Sequence, residues 1–177
     1  MSFMGVVGVR FSGYTAGVKP IYLVLHNVRS THNVGSILRT ADGAGVERVY
    51  LCGCTPTPVD RFGRKRKDVA KVALGAEETV PWEQCVDTLA LIVSLKEQGV
   101  RVVAVEQDER SIPYATLSLD QPIALVLGPE VEGLPQEVLD RCDTIVEIPM
   151  HGTKESLNVS VAAGVVLYRV VGSRGRG

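Results

Sequence analysis

The sequence predicts an α/β fold, a mostly parallel sheet with helices on both faces. From residue 21 onwards, short aliphatic and β-branched runs alternate with longer stretches of helical periodicity, the order typical of parallel sheets. The first run, 21–25, is continuously apolar, as expected for a strand buried on both faces. Hydrophobic residues make up 45% of the 177 residues but aromatic residues only 5%, which favours an aliphatic core.

The pattern assigns each element in chain order. Strands are predicted at 21–25, 48–52, 79–80, 100–105, 123–127 and 144–148. Helices are predicted from Asn33 through Ala41, and at 68–74, 82–98, 136–141 and 157–171. In the third helix the expected core positions are Val86, Leu89, Ala90 and Val93. Residues 106–121 are polar and include Pro113, so we expect a loop there.

We expect one domain over residues 21–172, preceded by a loosely ordered segment (1–20) and followed by a flexible tail (173–177). The chain shows neither a membrane-length apolar run nor a signal-peptide pattern, so we expect a cytoplasmic protein. The net charge is -1, so any attraction to nucleic acid must come from a local basic patch.

The four cysteines, at positions 52, 54, 85 and 142, are interpreted as reduced, buried structural thiols. The three histidines, at 26, 32 and 151, form no recognisable zinc-ligand pattern with them. We therefore expect no metal, and we interpret the histidines as bystanders to any chemistry.

Three predicted strand ends carry glycines and polar residues, at 26–33, 128–134 and 148–158. The dinucleotide GxGxxG motif, the P-loop and the GxSxG elbow of serine hydrolases are all missing from the sequence. Ligands of open parallel sheets bind at the carboxyl ends of the strands. These three loops are therefore the predicted site.

Each loop also resembles a signature of one family, the SpoU/TrmH RNA 2′-O-ribose methyltransferases of the SPOUT superfamily. NVGSILRTA at 33–41 resembles the first signature and LGPEVEGL at 127–134 resembles the second. IPM at 148–150 with SLNVS at 156–160 resembles the third. Pro129 departs from the small polar residue that the family often has at that position. The resemblance covers roughly residues 20–171, and the chain is similar to the minimal, single-domain members of the family.

The resemblance implies a deep C-terminal trefoil knot, S-adenosyl-L-methionine (SAM) as cofactor and a homodimer. The expected substrate is a ribose 2′-hydroxyl of tRNA or rRNA. The residues expected to hold SAM are Leu127, Gly128, Glu130, Ile148, Pro149, Met150, Ser156, Leu157 and Asn158. Glu106 and Gln107, after the strand predicted at 100–105, are expected to form another wall of that site.

The resemblance also implies the catalytic residues. Arg39 matches the arginine to which the family assigns activation of the hydroxyl. A guanidinium stays protonated and is a poor base, so we expect Arg39 to bind phosphate and ribose and to stabilise the developing alkoxide. The residues expected to orient Arg39, the ribose and the SAM loops are Asn33, Glu130, Ser156 and Asn158.

Most of these residues also have a purely structural interpretation. Asn33 and Ser156 are suitable N-caps, and Glu130 is a suitable turn residue. Asn158 falls in the first turn of a predicted helix, where Asn is not favoured, and this indicates a functional role.

The run Arg61–Lys67 places five positive charges in seven positions. Most charge runs are solvated loops, but a concentrated patch with one aromatic residue suits a phosphate backbone. We predict RNA contacts by Arg29, Arg39, Arg61, Arg64, Lys65, Arg66 and Lys67.

Three other functions remain open. An RNA-binding SPOUT protein without catalysis would not need Arg39, Ser156 and Asn158 together. A SAM-dependent base methyltransferase is disfavoured by the arginine in the first signature. A small-molecule nucleotide enzyme would be active in the absence of RNA.

Overall fold

The protein folds as one parallel sheet covered by helices. The computed structural model describes residues 19–173; the expectations for 1–18 and for 174–177 lie outside the described residues. The strands are β1 (Ile21–His26), β2 (Arg48–Cys52), β3 (Trp82–Cys85), β4 (Arg101–Val105), β5 (Ile112–Pro113), β6 (Ile123–Leu127) and β7 (Thr144–Glu147). They pair in the order β3-β2-β1-β6-β4-β7-β5, and every pair between them is parallel.

The helices form a layer on each face of this sheet. They are α1 (Thr31–Ala44), α2 (Lys67–Ala73), α3 (Ala76–Thr79), α4 (Thr88–Glu97), α5 (Gln136–Leu139) and α6 (Val159–Val171). Buried residues of α1, α2, α3 and α6 share one core cluster with Leu23 and Leu25, whereas α4 and α5 pack against Tyr22 and Val24. Alternate residues of a strand point to opposite faces, so β1 is apolar and buried over residues 21–25 because it contributes to both cores. The predicted α/β architecture is confirmed.

The central strands bring the predicted loops to one edge. β1 and β6 are neighbours in register, with Leu25 opposite Leu127, so both strands end at the same level. β4 pairs with β6 on one side and with β7 on the other. The segments that follow β1, β6 and β7 therefore leave the same edge of the sheet.

The helix predicted over 82–98 is wrong in its first part and in its buried face. Residues 82–85 are instead the edge strand β3, paired with β2, and the helix begins only after Asp87. The Asp87 side chain accepts hydrogen bonds from the backbone N–H groups of Leu89 and Ala90, which is the geometry of an N-cap. Val86, an expected core residue, is 92% exposed, and the buried residues of α4 are Thr88, Leu91, Ile92 and Leu95.

Two shorter predictions also differ from the structure. Thr79 is the last residue of α3 and does not begin a strand. The helix α3 starts after Gly75, and the chain enters the sheet only after Pro81, at β3. The polar segment 106–121 contains the two-residue strand β5 and a single 3-10 turn, Tyr114–Thr116. Within residues 19–173 no helix is both long and apolar enough to span a membrane.

Gly35 sets how closely α1 can approach α2. A Cβ atom at this position would lie 2.7 Å from the Val69 carbonyl oxygen and 2.9 Å from Val72 Cβ. We expect Gly35→Ala to lower the free energy of unfolding, because overpacking costs about 1–3 kcal/mol and the helix propensity of Ala returns at most about 1 kcal/mol. Urea unfolding followed by circular dichroism measures this change.

Gly164→Ala is the matched control within α6. Its added Cβ would meet only Thr40 Cγ2, at 3.7 Å, so we expect this variant to be as stable as the parent or more stable. If both variants raised the stability equally, α1 and α2 would not be in close contact at Gly35.

Candidate functional site

Glu130 joins the three predicted loops through one carboxylate oxygen. Its Oε1 accepts hydrogen bonds from Asn33 Nδ2 at 2.7 Å and from Asn158 Nδ2 at 2.8 Å. The backbone N–H of Val159 points to the same oxygen at 3.4 Å. Asn158 Nδ2 also reaches Asn33 Oδ1, at 3.2 Å. Side chains from the three signatures thus form a single hydrogen-bonded network.

The structure changes the capping roles expected for these residues. The N-cap of α1 is Ser30, whose hydroxyl accepts from the Asn33 backbone N–H. Asn33 therefore lies in the first turn, 6% exposed, with its amide free to bind Glu130. Asn158 is the N-cap of α6 and accepts a hydrogen bond from the Ser160 N–H. Asn158 therefore precedes the first turn instead of lying within it, and Ser156 does not cap the helix.

A cavity of about 310 Å³ lies between these loops. Its walls include all the residues expected to hold SAM except Pro149 and Asn158. Pro149 borders an adjoining cavity of about 460 Å³, formed with the loop 152–155. Gly128 is buried at the base of the loop after β6, where a Cβ atom would lie 2.9 Å from the Leu134 side chain. The close return of that loop therefore requires glycine.

Glu106 and Gln107 form hydrogen bonds to neighbouring loops. Glu106 Oε2 accepts from the Leu134 backbone N–H at 2.9 Å, which holds the end of the loop 128–134. Gln107 Nε2 donates to the Glu155 carbonyl oxygen at 2.6 Å, which holds the loop after β7. Both side chains also line the cavity.

Several cavity residues are not among those predicted from the sequence. The additional lining residues are Val105, Pro129, Val131, Glu132, Gly133, Glu147, Val159 and Ala162. Glu147 ends β7, so the rule that ligands bind at the carboxyl ends of strands could have identified it. Gly133 has φ +69° and lies under the Glu106 carboxylate, a contact that a sequence pattern does not reveal.

Arg39 stands apart from the network. It lies on α1, six residues after Asn33, and its side chain is exposed. Within residues 19–173 it makes no hydrogen bond or ion pair. Its guanidinium is therefore available to a bound molecule, while Asn33, Glu130 and Asn158 are already bonded to one another.

The predicted RNA-binding cations differ in their surroundings. Lys65 is paired with Glu77 at 2.8 Å and Glu78 at 2.6 Å, and these bonds raise the pKa of its ammonium group. Arg64 is paired with Asp60 at 2.8 Å, and Arg29 with Glu132 at 3.0 Å. These three charges are thus partly neutralised within the chain.

The remaining cations of the run are less engaged. Arg61 stacks on Phe62, with its guanidinium carbon 4.8 Å from the ring centre, and is exposed. Lys67, the first residue of α2, is also exposed, whereas Arg66 is half-buried as the N-cap of that helix. Arg61 and Lys67 are therefore the freest positive charges of the run.

The histidines and cysteines lie outside the Glu130 network. His32 and His151 are exposed, and His26 shares a hydrogen bond with Thr88 Oγ1 at 2.8 Å. Cys52 is buried as expected, but Cys54 is exposed, because it follows Gly53 in the turn after β2. In the part of the chain that the structure describes, no group of three or more His, Cys, Asp or Glu side chains is arranged to hold a metal ion.

Known proteins share this sequence pattern and this fold. The model of the SpoU rRNA Methylase family matches residues 20–168. The 23S rRNA (guanosine-2′-O-)-methyltransferase RlmB of Ralstonia nicotianae is 41% identical over 155 residues, which are 88% of this chain and 59% of that protein. The chain thus spans about three fifths of the length of this relative.

Two solved structures superpose with the same TM-score, 0.77. The AdoMet-bound rRNA methyltransferase from Sinorhizobium meliloti is 30% identical, and the match covers 85% of this chain and 55% of that one. The A. aeolicus TrmH/SpoU tRNA modifying enzyme is 29% identical, with coverages of 89% and 76%. The family match spans most of the chain and includes all three loops joined by Glu130. The chain therefore belongs to the SpoU rRNA methylase family.

Proposed function

We propose that this chain is a SAM-dependent RNA methyltransferase that modifies a ribose 2′-hydroxyl of rRNA or tRNA. The observation that carries the proposal is the Glu130 network, which joins the three family signatures beside a cavity at the carboxyl edge of the sheet. The relatives support it, since RlmB is named as a 2′-O-methyltransferase and the Sinorhizobium meliloti protein binds AdoMet.

The cavity suits SAM in size and in chemistry. Its volume of about 310 Å³ falls at the lower end of the range of small-molecule sites, and it adjoins a second cavity. Backbone groups near Gly128, Ile148 and Leu157 would bind the adenosine, and carboxylates lining the cavity would face the cationic end of the cofactor. When bound, SAM supplies a methyl group activated by its sulfonium.

The protein's own residues would position the RNA and stabilise charge. The Arg39 guanidinium would bind the phosphate and ribose and stabilise the oxygen as its proton is lost, because a cation preorganised beside a developing alkoxide lowers its energy. The network of Asn33, Glu130 and Asn158 would keep the loops in the geometry that aligns the hydroxyl with the methyl carbon. Ser156 borders the same cavity and would contact the cofactor.

We infer that the run Arg61–Lys67 contacts the RNA backbone mainly through its two least engaged charges. A double variant, Arg61→Gln with Lys67→Gln, should weaken RNA binding. It should also reduce the magnitude of the salt slope, the slope of log binding constant against log salt concentration, by roughly 1–2, as expected when about two phosphate contacts are lost. Fluorescence anisotropy with labelled RNA at several salt concentrations measures both quantities.

Arg141→Gln, which removes one positive charge, is the control for that double variant, which removes two. Arg141 is an exposed arginine between α5 and β7, far along the chain from the basic run. The double variant should change the salt slope of RNA binding by more than twice the change that Arg141→Gln causes. An unchanged slope would exclude Arg61 and Lys67 from the RNA contact.

We also infer the C-terminal knot of the SPOUT fold. The connection from β4 to β6 passes through β5, which lies beyond β7 in the sheet. The later strand β7 lies between β4 and β5 in the sheet, and the chain continues from it to α6, which packs against α1. This order of strands favours a threaded path, and an experimental density map traced through residues 106–158 tests it.

A homodimer is the third inference. Val161 and Tyr168 are about half exposed on α6 and lie two turns apart, so they share one face of the helix. An apolar face of this kind suits a symmetric contact between two copies. Light scattering after gel filtration tests the proposal: a monomer mass at micromolar concentration would contradict it.

The deciding experiment is methyl transfer from radiolabelled SAM to separate tRNA and rRNA pools, followed by alkaline hydrolysis. Label in alkali-resistant dinucleotides is the expected result, because a 2′-O-methyl group blocks cleavage at the neighbouring phosphate. Label in ordinary mononucleotides would indicate base methylation instead. SAM binding without transfer to either pool would favour an RNA-binding protein that lacks catalysis.

A further inference from the structure

A row of side chains crosses the carboxyl ends of β1, β2 and β3, outside the Glu130 network. His26 is the registered partner of Cys52, and Cys52 is the registered partner of Cys85. Neighbouring strands lie about 4.8 Å apart, and disulfides join residues whose Cα atoms are about 4.4–6.8 Å apart. Registered partners point to the same face of a sheet, so the two thiols lie side by side.

The two thiols differ in accessibility and in acidity. Cys52 is fully buried, whereas Cys85 is half-buried on the edge strand. A hydrogen bond from the Cys52 thiol stabilises the Cys85 thiolate and lowers the pKa of Cys85, against the opposing effects of burial and of the Asp87 and Glu83 carboxylates. The same hydrogen bond, together with burial, raises the pKa of Cys52.

The main chain around this pair is connected to the loop before α1. The Cys52 carbonyl oxygen accepts from the Asn27 backbone N–H at 3.2 Å and from the Thr55 hydroxyl at 2.8 Å. The Cys85 carbonyl oxygen accepts from the Gly53 N–H at 2.9 Å. A covalent link between the two thiols would therefore connect the edge strand β3, through β2, to the segment around Asn27 that leads into α1.

We propose that Cys52 and Cys85 form a reversible cross-strand disulfide by exchange with small-molecule disulfides such as oxidised glutathione. This modification site is independent of the proposed methyl transfer. Cys85 is the attacking group because it is the accessible thiol of the pair, and Cys52 is the resolving group because it is the registered partner of Cys85 on the adjacent strand. The other two cysteines are on different segments: Cys54 in the exposed turn after β2 and Cys142 before β7.

The exchange balances in two steps. The Cys85 thiolate attacks one sulfur of oxidised glutathione, whose S–S bond breaks and releases one glutathione thiolate. Cys52 then loses its proton and attacks Cys85 Sγ, and the mixed disulfide breaks to release the second glutathione. Two protein thiols are oxidised, one disulfide is reduced to two thiols, and the two thiol protons end on the leaving groups.

The test is mass spectrometry of the full chain after incubation with oxidised glutathione, with digestion by trypsin under non-reducing conditions. Cleavage yields Cys52 in the peptide 49–61 and Cys85 in the peptide 72–96. Because Cys54 shares the first peptide, the parent protein for the experiment is Cys54→Ser, a change at an exposed site. We expect the two peptides to be joined and to separate when dithiothreitol is added.

Two variants complete the test. Cys52→Ala should make the mixed disulfide of Cys85 with glutathione accumulate by at least about 10-fold, since the intramolecular attack that removes it is lost. Cys142→Ala should leave the joined peptides unchanged. Cys85 that carries glutathione equally with and without Cys52, or Cys85 that remains unmodified, would overturn the proposal. None of these readouts depends on methyl transfer, so the failure of either proposal is separately visible.

Discussion

Arg39→Ala is expected to abolish methyl transfer while SAM affinity stays nearly unchanged. The loss of one preorganised group that stabilises developing charge costs about 10²–10³ in rate in well-studied enzymes, and Arg39 is also expected to bind the RNA. Its side chain lies outside the cavity lining and outside the Glu130 network. Cofactor affinity should therefore not depend on it.

The measurements are single-turnover methyl transfer and calorimetric titration with SAM. Arg39→Lys serves as a conservative variant: it keeps the positive charge but loses the planar fork that binds phosphate at two points, so we expect intermediate activity. Arg141→Ala, at another exposed arginine, controls for a general loss of positive charge. Full activity of Arg39→Ala would exclude the proposed role, and a large loss of SAM affinity would assign Arg39 to the cofactor site instead.

Glu130→Ala is expected to lower both activity and stability. The substitution removes the acceptor of Asn33 Nδ2 and Asn158 Nδ2. Asn33 is only 6% exposed, and a buried polar group that loses its partner costs about 1–3 kcal/mol. The loops after β6 and β7 would then no longer be held together, so we expect methyl transfer to fall by at least about 10²-fold, because misplacement of positioning groups by 1 Å has that effect.

Glu130→Gln separates the two consequences. Its amide oxygen can still accept from both asparagines, so we expect stability near that of the parent, with activity reduced by the loss of negative charge. Glu97→Ala, at an exposed carboxylate at the end of α4, controls for the removal of a surface charge. Thermal unfolding and single-turnover transfer are measured on all three variants. Parent-like activity of Glu130→Ala would show that the network is dispensable.

Much of this site could be predicted without a structure. Residues 21–25 of β1 and 123–127 of β6 are continuous apolar runs because both faces of the sheet are buried there, and the loops after these two strands carry family signatures. The loops that line the cavity follow from the rule that ligands bind at the carboxyl ends of parallel strands, whereas the individual SAM residues were implied by the family resemblance. Glu106 and Gln107 were expected there, and both border the cavity.

The helix ends were harder to predict than the helices. Ser30, Asn33, Ser156 and Asn158 are all residue types found at N-caps, so the local pattern could not identify which of them caps a helix. The choice depends on where each chain segment enters the helix. Asn33 is free to bind Glu130 because Ser30 has already capped α1.

By itself, the sequence determined the alternation of buried strands and helices, the three loops and their family, because hydrophobic periodicity and short motifs are local properties of the chain. Only the tertiary structure decided which polar groups meet. Glu130 bonds to Asn33 across 97 positions, Lys65 is neutralised by Glu77 and Glu78, and Cys52 is aligned with Cys85 by the pairing of β2 and β3. Each of these contacts depends on how distant segments pack, and that arrangement has no counterpart in the spacing of residues along the chain.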